Sequence, residues 1–290
     1  MQIFGLLNKD MDHIEKELYR SVQGDDALLT ETSLHLLKAG GKRLRPVFVL
    51  MGGKFGQYDL EKLKRVAVPL ELIHSASLVH DDLPCFDAAD TRRGRPSVHG
   101  VFGEPIAVLA GDALIVLAFE SLSALPLHHP ARCAGVLGAV ARAVGAPSGI
   151  AAGQAWECEE AIDLDAYHRT KTGALFAGAA AVGALSAGHE AAPWQRFGEI
   201  LGRAFQAADD ICDAVGDAAA LGKPVGRDAA LARPSAVAER GIMGALSRVE
   251  SLIEDALAAV PECPGRESFR KLVLRDAQRL LPAGLARVAA

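Results

Sequence analysis

From residue 11 to about residue 280 the sequence reads as helical segments separated only by short breakers: LPLHHP, GAPSG, AGHEAAP and VPECPG. The segments fall at 11–21, 31–39, 46–53, 60–80, 105–125, 131–145, 148–161, 165–188, 193–215, 229–240, 242–259 and 265–280. No long linker and no internal repeat interrupts them. This pattern predicts one compact all-α domain over residues 1–290, with roughly ten to twelve helices, more than a simple four-helix bundle holds. Composition agrees: alanine is abundant and aromatics are only 5%. Alanine is the best helix former, and the residues that favour strands are sparse. Pro69, inside the 60–80 segment, is expected to kink or break it.

Several classes are excluded early. A net charge of −5 leaves no basic face for nucleic acid. The five cysteines form no CxxC, so a zinc site or disulfide framework is not expected, and reduced thiols fit best. The opening MQIFGLLNKDMDHIEKELYR has no basic start, long apolar stretch or cleavage site. The most apolar window, 106–117, contains Gly111 and Asp112 and falls short of the roughly 20 residues a membrane span needs. The expectation is a cytoplasmic protein that does not span a membrane.

Two acidic clusters follow apolar helical runs. In FQAADDICDAVGD, Asp209 and Asp213 are four apart and share a helix face, with Asp210 beside them and Asp217 beyond. Their apolar flanks, Ile200, Leu201, Ala204, Phe205, Ile211 and Val215, predict burial, and buried like charges need a cation. In LVHDDLPCFDAADTRRGRP, Asp81 and Asp87 are six apart, about 120° around a regular helix. They converge only if the chain leaves the helix near Leu83–Pro84. Carboxylates without Cys/His spacing point to Mg²⁺, which commonly binds substrate phosphates as well.

The basic groups complement the acids. GGKRLRP supplies Lys42, Arg43 and Arg45; TRRGRP supplies Arg92, Arg93 and Arg95; KTG and GKP supply Lys171 and Lys223. Arginine's planar fork and lysine's point charge both suit phosphate. There is no GxxxxGK[ST] and no GxGxxG, so neither a P-loop nor a Rossmann site is present. Together the clusters describe a site for two polyanions, one held through Mg²⁺ and one through bare cations.

These blocks, in this order from residue 40 to 228, resemble the trans-isoprenyl diphosphate (polyprenyl) synthases. The resemblance implies an isoprenoid synthase fold, with antiparallel helices around a central cavity, usually as a homodimer. It implies Mg²⁺-dependent condensation of isopentenyl diphosphate with an allylic diphosphate by ionisation, condensation and elimination. Asp81, Asp82 and Asp87 resemble the first aspartate-rich motif, and Asp209, Asp210 and Asp213 the second, together holding about three Mg²⁺ on the allylic diphosphate. Arg92, Lys171 and Lys223 are then expected on that diphosphate, and Lys42, Arg45, His74 and Arg93 on isopentenyl diphosphate. Thr172 and Gln206 are expected at the reacting centre.

In such enzymes the growing tail runs down the helix before the first motif. Ala76, five residues before Asp81, leaves room where farnesyl-making relatives place a bulky aromatic. Ser77 lies beside it, and Ile73 sits about two turns below Asp81. The expected product is the C20 geranylgeranyl diphosphate, with C15 farnesyl diphosphate as the alternative. HDDLPCFDAADTRRGRPSVH also looks like geranylgeranyl synthases of carotenoid and bacteriochlorophyll pathways. Residues 88–89 are Ala-Ala where many relatives carry additional acid, and Ser97 stands where Thr is usual. A terpene cyclase would not need the GGKRLRP cations for a second diphosphate. A non-catalytic subunit would usually have lost one acidic motif.

Overall fold

A computed structural model describes residues 8–54, 59–125, 130–159, 162–215 and 233–277. In chain order the helices are α1 (Asn8–Ser21), α2 (Ala27–Leu37), α3 (Leu44–Lys54), α4 (Leu60–Asp81), α5 (Val98–Phe102), α6 (Glu104–Ser123), α7 (Pro130–Val144), α8 (Ile150–Ala155), α9 (Leu164–His168), α10 (Ala174–Ser186), α11 (Ala191–Val215), α12 (Ala236–Ala258) and α13 (Arg266–Ala277). Among the described residues the only strands are β1 (Thr91–Arg92) and β2 (Arg95–Pro96), paired antiparallel between α4 and α5. The all-α expectation holds.

Side-chain caps fix several helix starts. Asp26 accepts from Leu29 N at α2, Asp59 from Glu61 N and Lys62 N at α4, Asp163 from Ala166 N at α9, and Ser235 from Ala238 N at α12. Each satisfies amide donors that a helix N-terminus leaves unpaired.

At the centre of the packing lies α10, which touches α3, α4, α7 and α11. Every residue from Leu175 to Ala184 is buried, as a helix apolar on all sides must be. Its small residues let neighbours come close. A Cβ on Gly183 would collide with the carbonyl of Val49 in α3, and one on Gly52 with the carbonyl of Ala180. An aromatic cluster closes one side: Phe48 meets Phe176 edge-on at 4.7 Å between centroids, and Phe197 and Trp194 pack on Phe269 at 5.5 and 5.8 Å.

Two segments differ from expectation, and a third breaks where expected. Pro69 does not end α4, which runs on to Asp81; residues Val66 to Ile73 are all buried, and packing offsets the missing hydrogen bond. The predicted 165–188 segment is divided by a π-type turn at Arg169–Gly173, which joins α9 to α10. At Gly241, φ +66° and ψ 172° interrupt α12, at the predicted junction of its two segments.

Candidate active site

Helix α4 delivers Asp81 as its last residue and Asp82 as its C-terminal cap. The chain then doubles back: Asp87 N donates to Asp81 O at 2.9 Å, Ala88 N to Leu83 O at 3.0 Å, and Ala89 N to Asp82 O at 3.1 Å. Ala88 takes φ +45° to do so. The break anticipated near Pro84 is present, and it returns Asp87 to the end of the helix. Burial raises the Asp81 pKa; Lys171 opposes the shift and Asp87 adds to it. Burial also raises that of Asp82, although Arg92 holds its carboxylate through Nε at 2.9 and 3.2 Å.

Three cations stand among these acids. Arg92 pairs with Asp82 and lies 3.6 Å from Asp81; Lys171 Nζ is 4.0 Å from Asp81 Oδ1; Arg233 pairs with Asp87. Glu157, in the 3₁₀ turn after α8, gathers the last two. It pairs with Lys171, lies 3.1 Å from Arg233, and accepts hydrogen bonds from Tyr167 Oη and Gln154 Nε2. Gly153 lies where a Cβ would strike the Lys171 backbone, so α8 can press directly on the π-type turn. Such turns widen a helix and re-aim its side chains, often at functional sites.

The β1–β2 hairpin sorts the arginines. Arg93 (φ +54°) and Gly94 (φ +76°) are its central residues, as a two-residue I′-type turn requires. Arg92 reaches the acids, whereas Arg93 donates to Gly40 O. Gly41 (φ +146°) has no room for a Cβ against the Arg93 guanidinium.

Around Arg93 lies a second, cationic cluster. Arg45 Nη1 donates to His74 Nε2 at 3.1 Å, and its guanidinium stacks 4.6 Å over Phe176. Lys42 Nζ lies 4.9 Å over the Phe205 ring. Burial lowers the Arg45 pKa to about 10, still charged at neutral pH. Burial, then Arg45, Arg93 and Arg92, hold the His74 pKa well below its usual value, so this imidazole is neutral. Arg43, the middle cation of GGKRLRP, turns the other way (φ +49°) into an ion pair with buried Glu71 at 3.0 Å.

On α11, Asp209 is half-buried and Asp213 buried. Asp210 stands apart from them. Its Oδ1 accepts from Gln206 Nε2 at 2.9 Å, its Oδ2 accepts from Ala236 N at 2.7 Å, and His168 Nε2 lies 3.1 Å from Oδ2. Gln206 Oε1 in turn accepts from the Thr172 hydroxyl.

The polyprenyl synthetase family model matches residues 26–266. The chain belongs to this family. It is 49% identical over 248 residues to a geranylgeranyl diphosphate synthase of Cereibacter sphaeroides, covering 85% of this chain and 86% of that one. It is 41% identical over 240 residues to a farnesyl diphosphate synthase of Escherichia coli, covering 79% and 80%. Among solved structures, a geranyltransferase of Helicobacter pylori complexed with magnesium and isoprenyl diphosphate superposes with a TM-score of 0.80 at 27% identity, covering 95% of each chain.

For a polyprenyl synthetase, the sequence-derived residues fall into three groups. Asp81, Asp82, Asp87, Arg92 and Lys171 meet in one cluster; Thr172 bonds to Gln206; Arg45, His74 and Arg93 form the cationic cluster. Ala76 and Ile73 are buried, and Ser77 donates to its own helix at His74 O. Lys223 and Asp217 lie outside the described residues. Sequence reading missed Glu157, Arg233, Glu71 and His168: none stands in a motif that marks it, and only the fold supplies its partners.

A divalent cation fits the first cluster. Asp81 Oδ1 is buried and accepts no hydrogen bond, and the pKa of Asp81 is raised with Asp87 as a contributor. Among the described residues no three acids, histidines or cysteines already surround one point, because cations stand between the acids.

Proposed function

We propose that this chain condenses isopentenyl diphosphate with allylic diphosphates, making geranylgeranyl diphosphate as its main product. The observation that carries this reading is the pair of unlike sites: an acidic cluster seeded with phosphate-binding cations, and a cationic cluster built from Lys42, Arg45, His74 and Arg93. Asp81, Asp82, Asp87, Asp209 and Asp213 are the residues that would hold Mg²⁺. Bound there, Mg²⁺ supplies charge that stabilises a departing diphosphate. The magnesium and isoprenyl diphosphate named for the Helicobacter pylori structure support that assignment.

The chain's own residues do the rest. Arg92, Lys171 and Arg233 are now neutralised by Asp82, Glu157 and Asp87. Were Asp82 and Asp87 to hold Mg²⁺, Arg92 and Arg233 would be free to turn toward phosphate oxygens, with Lys171 beside them. Lys223 is assigned to the same diphosphate from its GKP motif. Arg45 and Arg93 hold isopentenyl diphosphate, with neutral His74 accepting from Arg45 and fixing its fork. Thr172 and Gln206 present oxygens to the allylic cation as the C–O bond breaks. The alkene attacks, and the released diphosphate takes the proton lost. Closure must exclude water, which would quench the cation.

Ala76, with Ser77 beside it and Ile73 below, sets the length of the product. A homodimer is supported by the bare apolar stripe of α6, where Leu109 is 53% and Val116 66% exposed. This helix is long and apolar enough to cross a membrane, but a second copy covers such a stripe equally well. We place the dimer in the cytosol. The test is to supply the purified protein with isopentenyl diphosphate and each of dimethylallyl, geranyl and farnesyl diphosphate, with Mg²⁺. A C20 alcohol after dephosphorylation supports the reading. A cyclic hydrocarbon, or no prenyl product, overturns it.

A further inference from the structure

We infer that Asp210 is a positioning residue that fixes the polarity of the Thr172–Gln206 pair, and is not a metal ligand. Both of its oxygens are already bound by protein. Oδ2 takes the Ala236 amide at the first turn of α12, with His168 beside it, and Oδ1 takes the Gln206 amide nitrogen. The carboxyl is buried, 3% exposed, so these protein donors are what satisfy it.

Asp210 matters through what it does to the amide. Both carboxyl oxygens of Asp210 accept, so Gln206 points its NH₂ at Asp210 and its carbonyl at Thr172. The Thr172 hydroxyl must then donate to that carbonyl. Its lone pairs, and the remaining lone pair of Gln206 Oε1, are left as the polar features facing outward. Were the amide reversed, its NH₂ would meet Thr172, and the hydroxyl would be free to aim its hydrogen outward. The first arrangement offers negative ends of dipoles to a developing allylic cation, and the second offers a positive one. His168 closes α9 and Thr172 lies in the π-type turn directly after it, so the acid that orients the pair also touches the base of that turn.

This inference rests on the prenyl-transfer reading above. The experiment compares Asp210→Asn with Asp209→Asn, measuring calorimetric binding of inorganic pyrophosphate with Mg²⁺ and the single-turnover rate of condensation. Asp210→Asn should keep pyrophosphate affinity and its Mg²⁺ dependence within about threefold while slowing condensation about 10–100-fold, the loss of one oriented buried hydrogen bond. Asp209→Asn should weaken Mg²⁺-dependent binding more than about tenfold. Thr172→Val added to Asp210→Asn should cost less than about threefold further, because both changes break one chain of bonds.

If Asp210→Asn demands as much extra Mg²⁺ as Asp209→Asn, Asp210 is a ligand and the inference falls. Additive effects of Asp210→Asn and Thr172→Val overturn it as well. Should Asp210→Asn fail to fold, Gln206→Leu and Thr172→Val form the same cycle without touching the buried carboxyl, and additivity there is equally fatal. Failure of the underlying reading looks different: the unmutated protein itself would show no Mg²⁺-dependent pyrophosphate binding.

Discussion

Glu71→Gln should destabilise this protein far more than a surface carboxylate change would. Glu71 is 1% exposed and its partner Arg43 is 7% exposed, with Nη1 3.0 Å from Oε1. Once Glu71 loses its charge, the one acid left in contact with Arg43 is the half-open Glu15 at 3.2 Å, beside the neutral Leu37 O at 2.9 Å. Removing one partner of a buried pair costs about 3–5 kcal/mol, and the surviving contacts argue for about 3 kcal/mol here. At about 2.1 cal/mol/K of unfolding entropy per residue, that is a fall in Tm of about 5 °C. Glu71 also counters Arg45 and Arg93, so the mutant cluster holds three cations with less opposition. Pyrophosphate should therefore raise the Tm of Glu71→Gln more than that of the wild type. The assay is calorimetric melting with and without pyrophosphate. The double replacement Arg43→Met with Glu71→Leu removes both charges and should lie within about 2 kcal/mol of the wild type. A Glu71→Gln cost below about 1 kcal/mol, or a double variant worse than the single, would refute this reasoning.

Other outcomes follow from the same geometry. The pKa of His74 is depressed in the folded state, so the unfolded chain binds a proton first; stability is fully present above about pH 6.5 and falls below it by up to about 1.4 kcal/mol per pH unit. His74→Gln should flatten that part of the urea-melt pH profile relative to the wild type; parallel profiles would contradict the neutral imidazole. Gly183→Ala forces a methyl against the Val49 carbonyl and should cost about 1–3 kcal/mol in denaturant melts; no loss would mean that α3 and α10 are not in contact there. Ala76→Tyr should shift the product from C20 toward C15, read by chromatography; an unchanged product places the floor elsewhere.

Much of the fold could be read in sequence because helix periodicity and breakers are local. The Gly241 junction and the Leu83–Pro84 break are examples. Pro69 marks no break, because burial on every side holds α4 together across a residue that would break an exposed helix. The acids and cations of the site were legible as clusters, since Asp81, Asp82 and Asp87, or Lys42 and Arg45, are close along the chain. Glu157 was not, because Lys171 lies 14 residues away and Arg233 comes from a different region. Nor did sequence separate Asp210 from its neighbours in a run of like residues. Only the α12 N-terminus and Gln206 do that. Arg43 shows the same limit in reverse: it is indistinguishable from Arg45 in GGKRLRP, yet a positive φ turns it into the core.

The central claim is that two diphosphates bind in two ways, one through metal and one through cations alone. Calorimetry of isopentenyl diphosphate and of a non-ionisable allylic diphosphate analogue, each with Mg²⁺ and with EDTA, tests it directly. Isopentenyl diphosphate should keep its affinity within about threefold in EDTA, because the Lys42, Arg45 and Arg93 cluster contains no acid ligand set. The allylic analogue should lose more than about a hundredfold, since Asp81, Asp82 and Asp87 repel a bare diphosphate. Equal dependence of both ligands on Mg²⁺ would contradict the account.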